Sequence, residues 1–179
     1  MKNSYGQARI RKLQPGDTVS VFDCGDPDLN DFILEEAANY REALLAVTYI
    51  LEDEEQNVLA YFSLANDRVS LSDFETKTEF NRFRKNRFVN GKRIKSYPAA
   101  KICRLAVEKR AKGMHLGSYL VDFIKSYFVE DNKTGCRFLT VDAYAEAVPF
   151  YLRNEFVPLN DDDKDESTRL LFFDLGDID

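Results

Sequence analysis

The sequence predicts an α/β or α+β fold, a central sheet with helices on both faces, and three observations carry that expectation. Short β-rich apolar runs alternate with stretches whose apolar residues recur at helical spacing, turns rich in Gly, Pro and acids separate them, and 179 residues suit one domain over residues 1–179. A chain of this length buries about 70% of the surface its unfolded form exposes, enough for a core. With 44% hydrophobic and 31% charged residues, eight Gly and five Pro, the composition is that of a globular chain rather than a disordered or fibrous one.

Ala8–Leu13 alternates and ends at Pro15-Gly16-Asp17, which reads as an edge strand followed by a turn. Asp28 is placed to cap a helix in which Leu29, Phe32, Ile33 and Ala37 share a face, running to Glu42. Leu44–Leu51 and Val58–Leu64, separated by the polar Glu52–Asn57, read as an antiparallel hairpin. Asp73 is placed to cap a second helix containing Phe74, Phe80 and Phe83, and the basic, Gly-interrupted Arg84–Lys95 follows it. Ala99–Val107 is strand-like, and His115–Val129 is an amphipathic helix on Leu116, Leu120, Phe123, Ile124 and Tyr127. Arg137–Val141 is a further strand and Glu146–Arg153 a short helix. Leu170–Asp174 is a last strand after the acidic loop Asn160–Glu166.

Several functions are excluded early. Cys24, Cys103 and Cys136 are odd in number and widely spaced, so neither a disulfide framework nor a CxxC metal pair is expected. His115 is the single histidine, which leaves little from which to build a transition-metal site. No run of eighteen apolar residues occurs and the start MKNSYGQARIRKLQPGD lacks a secretory pattern, so the expectation is a cytoplasmic protein without a membrane partner. The net charge of −6 hides an asymmetry: Lys77–Lys112 holds thirteen Lys or Arg against Glu79 and Glu108, which makes that segment +11 and the remainder −17. An anionic ligand near the middle of the chain is the natural reading.

Cys103–Val107 followed by Lys109–Gly117 places a basic, Gly-containing loop between a strand and a helix start. A helix N-terminus offers unpaired N–H groups and the positive end of the helix dipole, so a diphosphate is favoured there, with Arg110 and Lys112 adding charge. Taken alone, the loop reads first as a solvated basic turn, because Gly-x-x-x-Gly is common and the segment is neither a Walker A loop nor a GxGxxG fingerprint. Arg104-Leu105-Ala106-Val107 ahead of Lys112-Gly113-Met114-His115-Leu116-Gly117, however, resembles the acetyl-CoA motif Q/R-x-x-G-x-G/A of the GNAT acetyltransferases. Lys112 stands at the Gln/Arg position, His115 at the first glycine and Gly117 at the second. An ammonium at Lys112 faces phosphate without a guanidinium fork. The Cβ and ring of His115 occupy a position where close backbone approach favours glycine. Two readings of that ring stand: outward and donating to a phosphate, or simply solvent-facing.

Val141–Phe156 resembles the family's second signature, a strand followed by A-x-x-F-Y-x-x-x-G-F. Ala147, Phe150, Tyr151 and Phe156 fall in place, and Glu155 replaces the glycine. The resemblance implies a GNAT fold with a mixed, mostly antiparallel sheet, acetyl-CoA as cofactor, and transfer of acetyl to a primary amine. It makes Tyr151 the general acid for the departing sulfur, where the residue alone would read as a core aromatic. It makes Leu105 and Val107 the backbone partners of the pantetheine arm and residues Lys112–Gly117 the diphosphate cradle. Glu108, Asp142 and Glu146 are candidates for a base by position, and none is chosen.

Phe22-Asp23-Cys24-Gly25, Leu29-Asn30-Asp31-Phe32-Ile33 and Tyr61–Ala65 resemble the toxin-like branch that acetylates aminoacyl-tRNA, so the resemblance covers nearly the whole chain. Three readings remain: acetylation of a small or peptide amine, acetylation of charged tRNA held by the basic segment Lys77–Lys95, and a catalytically weak CoA-binding or partner-binding module. Phe80, Phe83 and Phe88 could stack on bases, although one-sided core packing of Phe80 and Phe83 is the plainer reading. A homodimer and an antitoxin partner are expectations of the branch.

Overall fold

The computed structural model describes residues 8–85, 87–88, 94–130, 134–160 and 167–178. Its strands are β1 Arg9–Lys12, β2 Val47–Glu52, β3 Val58–Ser70, β4 Ser96–Val107, β5 Phe138–Tyr144, β6 Val157–Pro158 and β7 Thr168–Asp174. They hydrogen-bond in the order β1-β2-β3-β4-β5-β7-β6. The pairs β1–β2, β2–β3, β5–β7 and β6–β7 are antiparallel and β4–β5 is parallel, which is the mixed, mostly antiparallel sheet expected. The α-helices are α1 Pro27–Asp31, α2 Ala37–Glu42, α3 Lys77–Lys85, α4 Leu116–Glu130 and α5 Val148–Arg153. No helix among the described residues is long and apolar enough to cross a membrane. The chain divides into two compact units, Met1–Ala65 with Ile102–Ile124, and Asn66–Lys101 with Lys125–Asp179.

In the first unit, β1 is the edge strand and pairs Arg9 with Glu52. The Glu52 carboxylate is buried and accepts from the guanidinium groups of Arg9 and Arg11, so the charge is compensated from both oxygens. The first helix starts two residues earlier than Asp28 suggested. Pro27 takes the first helical position, where its missing N–H costs nothing, and Asp26 is the cap, accepting from the amides of Asp28 and Leu29. Between α1 and α2 the turn Phe32–Glu36 is π-helical, with the Ala37 amide bonded to the Phe32 carbonyl. That wider turn keeps Phe32, Ile33 and Ala37 together against Phe22, Ile50 and Tyr61.

In the second unit, Asp73 does not cap the long helix. It closes a capping box with Ser70 around the short turn Leu71–Asp73, and Thr76 and Glu79 make the equivalent exchange at the start of α3. Phe74 lies outside the helix but still packs on Phe80 and Phe83. Phe80, Phe83, Tyr97, Phe138 and Phe172 form the core of this unit. Buried Asp174 binds Arg87 and Arg137, whose guanidinium groups also lie over Phe83 and Phe88 respectively. The two-residue β6, which periodicity does not mark, pairs Val157 and Pro158 with Phe172 and Leu171 of β7. Within the Arg84–Lys95 stretch, residues 86 and 89–93 lie outside the described residues, as do 161–166 of the acidic loop.

Candidate functional site

The basic loop begins where β4 ends. The Glu108 amide donates to the Leu59 carbonyl, and the Glu108 carboxylate, itself buried, accepts from the Arg110 amide and guanidinium. Glu108 is therefore a structural cap for the turn Lys109–Ala111. Phe22-Asp23-Cys24-Gly25 grips the same turn from the other side. The Lys109 amide donates to the Asp23 carbonyl at 2.8 Å and its ammonium to the Asp23 carboxylate at 2.7 Å. Asp23 in turn accepts from Gly25 and Asn30, while the Asn30 side-chain oxygen Oδ1 accepts from the Cys24 amide. These contacts lower the Asp23 pKa and raise that of Lys109 through their mutual hydrogen bond. Gly25 has φ +94, and a Cβ there would stand 3.1 Å from Lys109 Cε, so glycine is needed for both conformation and approach.

The loop then turns into α4. Gly113 has φ +83 and His115 φ 57, two left-handed residues that flank Met114. Tyr119 donates to the His115 carbonyl, which makes His115 the residue before the helix. Among the described residues, the amides of Gly113, His115, Leu116, Gly117 and Ser118 find no backbone or side-chain acceptor. Lys112, Gly113, Met114 and His115 are exposed, Leu116 and Gly117 buried, and Lys112 makes no ion pair among the described residues. Such a row of free N–H groups beside an uncommitted ammonium suits a diphosphate, which is the part of acetyl-CoA the sequence assigned here. His115 keeps the left-handed backbone that a glycine would have supplied. Leu105 and Val107 are half-buried on β4 in this same unit.

Tyr151 belongs to the second unit, on α5. Its side chain is 6% exposed, its ring packs edge-on against Phe150 and Phe156, and burial pushes the phenol pKa well above its ordinary value. The hydroxyl makes no hydrogen bond among the described residues. After α5, the Glu155 amide donates to the Leu152 carbonyl and the Phe156 amide to the Tyr151 carbonyl, the paired bonds of a Schellman ending. Glu155 takes φ 68, so the turn keeps the left-handed geometry that glycine usually supplies. The residue that allows this was not singled out from the sequence: buried Lys125 donates to the Glu155 carboxylate at 2.7 Å and to the Asn154 carbonyl at 3.1 Å. A signal existed, since Lys125 sits four residues after Val121 on the buried stripe of α4. Of the other base candidates, Asp142 is paired with Lys101 and Glu146 is exposed.

A family model described as "Acetyltransferase (GNAT) domain" matches residues 74–173. That span is more than half of the chain, which therefore belongs to the GNAT acetyltransferases and is an acetyl-CoA-dependent N-acetyltransferase. Among solved structures, a tyrosine-to-phenylalanine mutant of KacT is similar at 23% identity and TM-score 0.76, over 95% of this chain and 96% of that one. AtaT complexed with acetyl-methionyl-tRNAfMet is similar at 23% identity and TM-score 0.75, with the same coverage. AtaTR bound with AcCoA is similar at 23% identity and TM-score 0.69, over 94% of each chain.

Proposed function

We propose that this protein acetylates the free amine of aminoacyl-tRNA, using residues Lys112–Gly117 to hold the diphosphate of acetyl-CoA and Tyr151 as the acid. Acetyl-CoA supplies the acetyl group as an activated thioester. The observation that carries the reading is the polarity of α3. Phe80 and Phe83 face the core, while Lys77, Arg82 and Lys85 are exposed and unpaired among the described residues, a cationic stripe suited to phosphates. The whole-chain likeness to AtaT, solved with an acetylated methionyl-tRNA, supports the same choice. Core placement removes Phe80 and Phe83 as base-stacking residues, and Phe88 stacks on Tyr97 instead. The backbone of Leu105 and Val107 holds the pantetheine arm in this reading. Tyr151 keeps a proton on Oη at neutral pH. Because its pKa is raised above that of a thiol, which is about 8.5, the hydroxyl acts by donating a hydrogen bond as charge grows on sulfur, the proton following late. An antitoxin partner belongs to the same proposal, since AtaT is also solved with the antitoxin AtaR.

Labelled acetyl transfer onto charged tRNA, uncharged tRNA and free amines tests the reading. Transfer to charged tRNA alone is the expected result, with affinity falling steeply as salt rises and with Arg82→Ala/Lys85→Ala weakening RNA binding but not acetyl-CoA binding. Arg87 is left intact because it holds Asp174 and the core. Acetylation of free amines with charged tRNA untouched would overturn the tRNA assignment. The second reading, a small-amine acceptor, is favoured by that commitment of Arg87 to Asp174, which shrinks the basic surface.

A further inference from the structure

The ending of α5 carries an unusual load. Tyr151 is the residue whose carbonyl closes the Schellman motif, accepting from the Phe156 amide at 3.1 Å, while its ring meets the Phe156 ring at 5.4 Å. The residue at the left-handed position of such a motif is usually glycine, because a Cβ there is disfavoured. Here it is Glu155. Its carboxylate reaches Lys125, whose side chain is 8% exposed whereas that of Glu155 is 75% exposed. The ammonium is fixed from three directions: by Glu155, by the Asn154 carbonyl at the helix end, and by the face of Phe173 at 4.0 Å. Phe173 packs on Phe156, which packs on Tyr151. The Asn154 amide side chain adds a bond to the Phe150 carbonyl. Among the described residues, the Phe156 ring, through Phe173, and the helix end at Asn154 both connect Tyr151 to one buried lysine.

We propose that Lys125 and Glu155 are positioning residues for Tyr151, an ion pair that does the work of the missing glycine and fixes where the phenol hydroxyl points. The proposal rests on the acid role given to Tyr151. Lys125 touches no reacting atom in this scheme. Its removal frees the turn, lets Glu155 leave its left-handed conformation and releases the Phe156 ring, so Tyr151 Oη moves. Glycine at 155 restores the turn without the lysine, because it enters the left-handed region unaided.

The test compares wild type, Lys125→Met, Lys125→Met/Glu155→Gly and Tyr151→Phe. Each is measured for kcat and KM on acetyl-CoA with a charged tRNA pool as acceptor, and for the Tyr151 signal in protein labelled with [13Cζ]tyrosine. Misplacing a reacting group by about 1 Å costs up to about 100-fold, and Lys125→Met is expected to lower kcat about tenfold with KM for acetyl-CoA unchanged. It also moves the Tyr151 resonance, which is assigned by its loss in Tyr151→Phe. The double variant returns both kcat and resonance to within about twofold of wild type, since the turn no longer needs the pair. A Lys125→Met resonance identical to wild type, or a double variant no better than the single one, would overturn the proposal. If Lys125→Met fails to fold, the comparison passes to Lys125→Arg, which keeps the charge and is expected to retain the resonance and kcat; loss of both would also overturn it. Wild-type kcat in Tyr151→Phe signals a different failure, that of the acid role, and the resonance then still decides whether the pair positions the ring.

Discussion

Leu44, Gln56, His115 and Glu155 all take left-handed backbone without being glycine, and the two that stand at glycine positions of the family motifs, His115 and Glu155, do so at different cost. Glu155 and His115 both adopt left-handed backbone, with φ of 68 and 57, conformations that cost an L-residue about 1–2 kcal/mol. At Glu155 the side chain contributes something in return, because it neutralises a buried ammonium. At His115 nothing offsets the strain: the side chain is exposed and makes no hydrogen bond among the described residues. The first turn is a closed structural unit, whereas the second holds its strain in the open, beside five amides without acceptors among the described residues. Uncompensated strain next to unsatisfied donors is the arrangement expected where a ligand completes the structure.

That contrast can be broken or sharpened by experiment. The largest effect belongs to Tyr151→Phe, expected to lower kcat by about 100-fold or more while leaving acetyl-CoA affinity within about twofold, read by single-turnover kinetics and calorimetry. Next comes Gly117→Val, whose added bulk blocks backbone approach at the start of α4 and should weaken acetyl-CoA binding about tenfold, equivalent to about 1.4 kcal/mol. Glycine at each of the two turns should then give opposite signs. Glu155→Gly strips Lys125 of its carboxylate and should destabilise by about 1 kcal/mol in urea unfolding, the exposure of Glu155 limiting the loss. His115→Gly relieves strain and loses no contact, so it should stabilise by about 0.5 kcal/mol once the extra freedom of unfolded glycine is counted. If the signs agree, the compensation argument fails. The smallest effect is that of pH. The Lys125 hydrogen bond holds the Glu155 carboxyl below its usual value of 4.5, so the pair's contribution is complete above that pH and fades as pH falls through the lowered folded-state value. The stability gap between wild type and Glu155→Gly should therefore narrow in acid.

Much of this was legible in the chain because periodicity and turn chemistry are local. The hairpin around Asp53–Asn57, the strand ending at Val107, the helix from Leu116 and the family signature around Tyr151 all announce themselves within windows of a dozen residues. What the sequence misplaced were caps. Asp26, Asp28 and Asp73 are equivalent as residue types, and only the proline at 27 and the serine at 70 decide which of them caps which turn. Long-range pairing was less visible still. Nothing near Lys125 in the chain marks Glu155 as its partner thirty residues on, and Arg87, counted among the basic residues for RNA, is instead tied to Asp174 eighty-seven residues away. Charge counting assigns a sign to a segment but does not say which of its cations are already neutralised.

The position of β7 has a consequence for how the protein comes into being. Thr168–Asp174 hydrogen-bonds to β5 on one side and to β6 on the other, and its Asp174 is the acceptor for Arg87 and Arg137. All of those partners precede it in the chain. During synthesis, β5 must wait with its apolar Phe138, Leu139 and Val141 unpaired on that edge, and two arginines wait without their carboxylate, until β7 has left the ribosome. Non-local pairing of this kind closes slowly and leaves a sticky edge while it is open. The segment bearing Tyr151, which lies between β5 and β7, is thus made before the strand that completes its sheet, so the folded sheet lags behind translation of the tyrosine itself.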